Sequence, residues 1–104
     1  MAKKPNKPAW GVGTLAIHSG GAQHGSGGPV TPPIFRTSNF AFADTAEMRR
    51  WSEGKSKAYI YTRYGNPTLA VAEAKIAALE GAEAALVTAS GMAAISSALL
   101  SEAS

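Results

Sequence analysis

Asn66-Pro67-Thr68-Leu69-Ala70-Val71-Ala72-Glu73-Ala74-Lys75-Ile76-Ala77-Ala78-Leu79-Glu80-Gly81, followed by Ala84-Ala85-Leu86-Val87-Thr88 and then Ser90-Gly91-Met92, is the stretch on which the fold turns. Asn66 offers a side-chain oxygen to an orphan N–H, and Pro67 suits the first helical position. Leu69, Ala72, Ile76 and Leu79 recur at spacings of three and four, which lines one face of a helix. Gly81 can adopt the left-handed conformation that ends it. Residues 84–88 form a short apolar run, the pattern of a buried strand. Ser90-Gly91 then turns the chain into a second helix from Met92 to about Leu100. Helix, strand, turn and helix in that order predict an α/β domain. A buried strand needs neighbours for its backbone hydrogen bonds, and no other convincing strand follows. The expectation is therefore that these 104 residues open a larger α/β domain and are incomplete on their own.

Upstream, the chain changes character. Residues 1–33 hold seven of the eleven glycines and five of the six prolines. Such a composition does not sustain a helix or a paired strand for long, and predicts an extended arm. Residues 34–43 alternate Phe40 and Phe42 with Ala41 and Ala43, as an extended segment does. Asp44 is placed to cap a short helix over 44–53, and 54–57 reads as a loop.

Composition narrows the function. Val, Ile, Leu and Phe total 18 residues while alanine supplies 21, so helices form readily but little apolar bulk is available for an independent core. The net charge of +3 equals the charge of Lys3, Lys4 and Lys7, since residues 8–104 carry seven basic and seven acidic side chains. The basicity belongs to a tail, which argues against a nucleic-acid partner. Without cysteine there is neither a disulfide nor a thiolate metal site. No apolar run approaches a membrane span, and the basic start lacks the apolar region of a secretory signal, so a cytoplasmic location is expected.

Two short patterns carry chemistry. In Tyr59-Ile60-Tyr61-Thr62-Arg63, an extended backbone would point Tyr61 and Arg63 the same way. A guanidinium beside a phenol suits a phosphate group, through charge-assisted and hydroxyl hydrogen bonds. The alternative is cross-strand packing, with Arg63 in a surface ion pair. The other pattern is Ser90-Gly91-Met92 at a helix start, where free N–H groups and the helix dipole favour an anion and Gly91 admits close approach. Its alternative is ordinary serine capping. Gly11-Val12-Gly13-Thr14-Leu15-Ala16 has the letters of a dinucleotide-binding loop but follows a Pro/Lys-rich tail where a strand is required. His18 and His24 lie in glycine-rich sequence with no carboxylate between them, a poor zinc site. Met48, Met92 and Trp51 are expected to be packing residues.

Four blocks occur in one order: Gly28-Pro29-Val30-Thr31-Pro32-Pro33-Ile34-Phe35-Arg36-Thr37-Ser38, Tyr61-Thr62-Arg63-Tyr64-Gly65-Asn66-Pro67-Thr68, Leu79-Glu80-Gly81-Ala82 and Ser90-Gly91-Met92-Ala93-Ala94-Ile95. Together they resemble the N-terminal part of the Cys/Met metabolism (trans-sulfuration) enzymes that use pyridoxal 5′-phosphate, a family that includes the cystathionine γ-synthases and γ-lyases. The resemblance implies a fold-type-I domain like that of aspartate aminotransferase, starting near residue 67 and preceded by a clamp arm over 1–66. It implies that Tyr61 and Arg63 reach the cofactor phosphate of a neighbouring subunit, and that Ser90, Gly91 and Met92 bind the phosphate of their own. It also implies a homotetramer and β- or γ-elimination or replacement on sulfur-containing or O-acyl amino acids. Thr62 stands where the family commonly has Ser. No lysine of the chain matches the family's Schiff-base motif, so no catalytic residue is assigned and the 104 residues alone are expected to be inactive. The other reading is an inactive fragment serving as an oligomerisation or interaction module.

Overall fold

The computed structural model describes residues 9–21 and 26–103. Among these, four helices follow one another: α1 (Val12–His18), α2 (Thr45–Ser52), α3 (Pro67–Glu80) and α4 (Gly91–Glu102). Three of them begin at the expected caps. Asp44 accepts from the Glu47 N–H at 2.7 Å, and the Glu47 carboxylate reaches back to accept from the Ala43 N–H at 2.8 Å. Asn66 caps α3 by accepting from the Thr68 N–H, and Ser90 caps α4 by accepting from the Ala93 N–H. Gly81 closes α3 with φ 64° and ψ 22°, and the Ala82 N–H returns 2.9 Å to the Ala77 carbonyl. That is a Schellman ending, which a residue with a Cβ enters only at a cost.

The glycine-rich arm departs from its expected form, because residues 12–18 within it are helical. A seven-residue helix with no side-chain cap is not stable alone. Its support is tertiary. Lys75 of α3 donates through Nζ to the carbonyls of Ala16 at 3.0 Å and Ile17 at 2.5 Å, satisfying orphan acceptors at the C-terminus of α1. Gly20, at φ +70°, lays its backbone directly on α3. A Cβ there would stand 2.8 Å from the Val71 carbonyl oxygen and 2.9 Å from the Ala74 Cβ. Trp10 closes the other side, its ring edge-on to His18 at 6.1 Å. Among the described helices, only α1 and α3 touch.

The extended reading of 34–43 holds, and this segment has a partner. Asn39 bridges antiparallel to Tyr61. The Phe40 N–H donates to the Ile60 carbonyl at 3.0 Å, and the Thr62 N–H to the Ser38 carbonyl at 2.9 Å. Phe40 packs on Tyr59, and Phe42 on Trp51 of α2. Trp51 is thus a packing residue, as expected, whereas Met48 and Met92 are exposed.

Residues 84–88 do not form the expected strand. Among the described residues nothing pairs with them in a ladder; the Val87 N–H donates instead to the Glu73 carboxylate at 3.1 Å, and Leu86 is 75% exposed. Strand structure exists only through pairing. The described residues therefore consist of helices, loops and one bridge, and the α/β sheet expected from the sequence is not formed among them.

Burial is correspondingly slight. Ala77 and Asn66 alone fall in the buried class among the described residues. Leu69, Ile76 and Leu79 of the expected apolar stripe stay exposed, while Gly20, just past α1, sits over Val71, Ala74 and Lys75. The radius of gyration is 16.6 Å, against about 13 Å for a compact chain of this length. The accessible surface is 8891 Å², where a compact chain of this mass leaves about 5,500 Å². α4 touches no other helix, and Met92, Ile95, Leu99 and Leu100 along it are exposed.

Candidate phosphate-binding site

Tyr61 and Arg63 meet, but not through the extended backbone expected of them. The chain turns at 61–64, with the Tyr64 N–H donating to the Tyr61 carbonyl at 2.9 Å and the Gly65 N–H to the same oxygen at 3.2 Å. This turn folds the Arg63 guanidinium over the Tyr61 ring at 5.1 Å from its centroid and near the Tyr64 ring at 5.9 Å. The negative faces of the two rings attract the cation and limit its travel. The ion pair weighed as the alternative for Arg63 is not made; Lys55–Glu53, at 2.6 Å, is the one salt bridge among the described residues. A stacked cation thus keeps its charge and its donor edge available.

Beneath the turn lies a polar anchor that the sequence signalled only as a helix cap. Asn66 is 4% exposed. Its Oδ1 accepts from the Thr68 N–H at 2.8 Å, while Nδ2 donates to the Phe35 carbonyl at 3.0 Å and to Thr62 Oγ1 at 3.1 Å. Thr62 Oγ1 in turn donates to the Thr37 carbonyl at 2.7 Å, and Thr68 Oγ1 accepts from the Phe35 N–H at 2.9 Å. Capping preference does not separate Asn from Asp or Ser, so the use of Nδ2 was not readable from residue type.

At the start of α4, Ser90 Oγ accepts from the Ala93 N–H at 3.1 Å, and Thr88 Oγ1 donates to the Ser90 carbonyl at 2.8 Å. Capping is therefore real, yet it leaves the N–H groups of Gly91 and Met92 without an acceptor among the described residues. Nothing lies within 4 Å of a Cβ built at Gly91, and its φ is not positive. Neither local packing nor backbone conformation calls for glycine here. Absence of a side chain does leave the helix tip open to an anion, where dipole and free donors coincide. No hydrogen bond or ring contact joins this tip to the Tyr61–Arg63 turn among the described residues.

The remaining candidates have other occupations. His18 packs on Trp10, and no group of three metal-ligating side chains occurs among the described residues. Lys75 is engaged with α1 and Lys55 with Glu53. His24 and the tail lysines 3, 4 and 7 lie outside the described residues. No helix among those described is long and apolar enough to cross a membrane.

The family model described as "Cys/Met metabolism PLP-dependent enzyme" matches residues 13–104. The chain belongs to this family. Membership in the Cys/Met metabolism family brings dependence on pyridoxal 5′-phosphate and the fold-type-I architecture. Among curated relatives, L-methionine gamma-lyase of Fusobacterium nucleatum subsp. polymorphum is 49% identical over 90 residues, covering 86% of this chain and 22% of that protein. L-methionine gamma-lyase of Porphyromonas gingivalis is 48% identical over 99 residues, 93% of this chain and 24% of the relative. Cystathionine gamma-synthase 1, chloroplastic, of Arabidopsis thaliana is 47% identical over 83 residues, 77% of this chain and 15% of the relative. The chain spans less than a quarter of the length of these Cys/Met metabolism relatives.

Proposed function

We propose that this chain supplies the phosphate-binding elements of a trans-sulfuration enzyme acting on sulfur-containing or O-acyl amino acids by β- or γ-elimination or replacement. Residues 1–66 form its clamp arm, and 67–104 begin the large cofactor-binding domain. Tyr61 and Arg63 contact the phosphate of pyridoxal 5′-phosphate from a neighbouring subunit. Ser90, Gly91 and Met92 contact it within their own subunit, in a homotetramer. When bound, the cofactor supplies the electron sink for bond breaking next to the amino-acid α-carbon. The residues named here bind and orient; none moves a proton or breaks a bond.

Arg63 carries this reading: a guanidinium stacked on Tyr61 and lacking any carboxylate partner among the described residues. The open Gly91 tip supports it independently, since a dianion is what two free amides at a helix start and a fixed guanidinium both favour. Because the chain belongs to an enzyme family, this reading stands ahead of an inactive interaction module.

Pyridoxine 5′-phosphate is the suitable probe, since it has no aldehyde to react with lysines. Titrated into the ¹⁵N-labelled chain, it is expected to shift the Arg63 side-chain resonance and the Gly91 and Met92 amides, whereas pyridoxine leaves them in place. Arg63→Ala should remove most of the difference between the two compounds. Equal response to both in the parent chain overturns the reading.

A further inference from the structure

We infer that Asn66 is the positioning residue of the Tyr61–Arg63 couple, locking the turn that presents it before any phosphate arrives. The inference rests on the phosphate reading above and adds to it the group that sets the geometry.

Asn66 is the only polar side chain in the buried class among the described residues, and both its Nδ2 protons and its Oδ1 are used. Those bonds tie together the Phe35 backbone, the Thr62 hydroxyl inside the turn and the first turn of α3. Phe35 is held from both sides, its carbonyl by Asn66 and its N–H by Thr68. Side chains thus take the place of a strand ladder and fix the 35–37 segment against the turn. Thr62 sits between Tyr61 and Arg63 and is held twice, by Asn66 Nδ2 and through its own bond to the Thr37 carbonyl. Asn66 is the buried centre of a network whose outer members, Thr62 and Thr68, are partly exposed, and losing its Nδ2 partners strands a desolvated amide. The outward neighbours of Thr62 therefore inherit a fixed backbone. Preorganisation of this kind raises affinity by removing ordering that binding would otherwise have to impose.

Capping and positioning use different atoms of Asn66, so substitution separates them. Asn66→Asp and Asn66→Ser keep an oxygen for the Thr68 N–H but lose the Nδ2 donors; the Ser variant adds no buried charge. The test is pyridoxine 5′-phosphate binding to the full chain, with pyridoxine as control and helicity measured alongside. Both variants should retain the helicity of α3 and lose about tenfold in affinity for the phosphorylated compound, the scale expected when the two part-buried Nδ2 hydrogen bonds are lost. Affinity for pyridoxine should not change. Thr62→Val should show the same loss, and Thr62→Ser, which restores the hydroxyl, should bind as the parent does. Parental phosphate affinity in Asn66→Ser or Thr62→Val overturns the inference, even where Arg63→Ala abolishes binding. An Arg63→Ala chain that still discriminates the two compounds instead removes the phosphate reading itself.

Discussion

Lys75 Nζ lies 3.0 Å from the carbonyl oxygen of Ala16, fifty-nine positions earlier in the chain, and so caps α1 from the flank of α3. One charged donor answers two acceptors that helix geometry leaves unpaired. This contact, with the Gly20 backbone beside it, is what turns part of a glycine-rich arm into a helix.

Lys75→Met keeps much of the side-chain bulk and removes the donor. Loss of a charged hydrogen bond at this position should destabilise the docking of α1 by about 1.5 kcal/mol. Amide exchange at Leu15 and Ser19, whose N–H groups bond to the carbonyls of Gly11 and Leu15, reports it. Protection at those two amides equal to the parent's rules the contact out as the support of α1.

Gly20 and Gly54 share nearly the same backbone, φ +70° and φ +71°, but only Gly20 faces a neighbour. Gly54→Ala should cost about 1 kcal/mol, the penalty of a Cβ in the left-handed region. Gly20→Ala carries the same penalty and a collision with Val71 and Ala74, so its cost should be the larger by at least about 1 kcal/mol. Thermal or denaturant unfolding of the two variants decides the matter, and equal losses would contradict the packing described for α1 on α3.

Asp44→Ala removes the acceptor of the Glu47 N–H and opens the reciprocal arrangement at the start of α2. A loss of about 1 kcal/mol is expected for such a cap. The Trp51–Phe42 ring contact should loosen with the helix. Trp51 fluorescence in an Asp44→Ala, Trp10→Phe background reads this directly, and an unaltered spectrum speaks against coupling between cap and contact.

Tyr64 is the outer wall of the Arg63 stack. Tyr64→Phe keeps a ring and should leave the ring-current shifts of the Arg63 side chain in place. Tyr64→Ala should diminish them and release about 0.5 kcal/mol of cation–π attraction, the scale of an exposed pair. If the alanine variant retains the parental shifts, Tyr61 alone holds the guanidinium.

Local structure was largely legible. Asp44, Asn66 and Ser90 begin helices, and Gly81 ends one, because a cap is decided by atoms within four residues of itself. The resemblance to the Cys/Met metabolism family was equally readable, carried by four ordered blocks of residue types. The meeting of Tyr61 with Arg63 was expected, though by a different backbone path. Side chains two apart align on a strand, whereas here a turn at 61–64 brings them together, and that turn is held by Asn66 and Thr62 from below.

Sequence by itself determined where α2, α3 and α4 start and where α3 stops, which residue types suit a phosphate, and how little bulky apolar matter the chain possesses. Tertiary structure alone decided that 12–18 is helical, that 38–40 pairs with 60–62, that 84–88 carries no ladder, and that Asn66 donates as well as caps. The division follows range. Caps and periodicity are short-range, set by neighbours along the backbone. A strand, a docked seven-residue helix and a buried amide each draw their stability from partners tens of residues away, which no local pattern names.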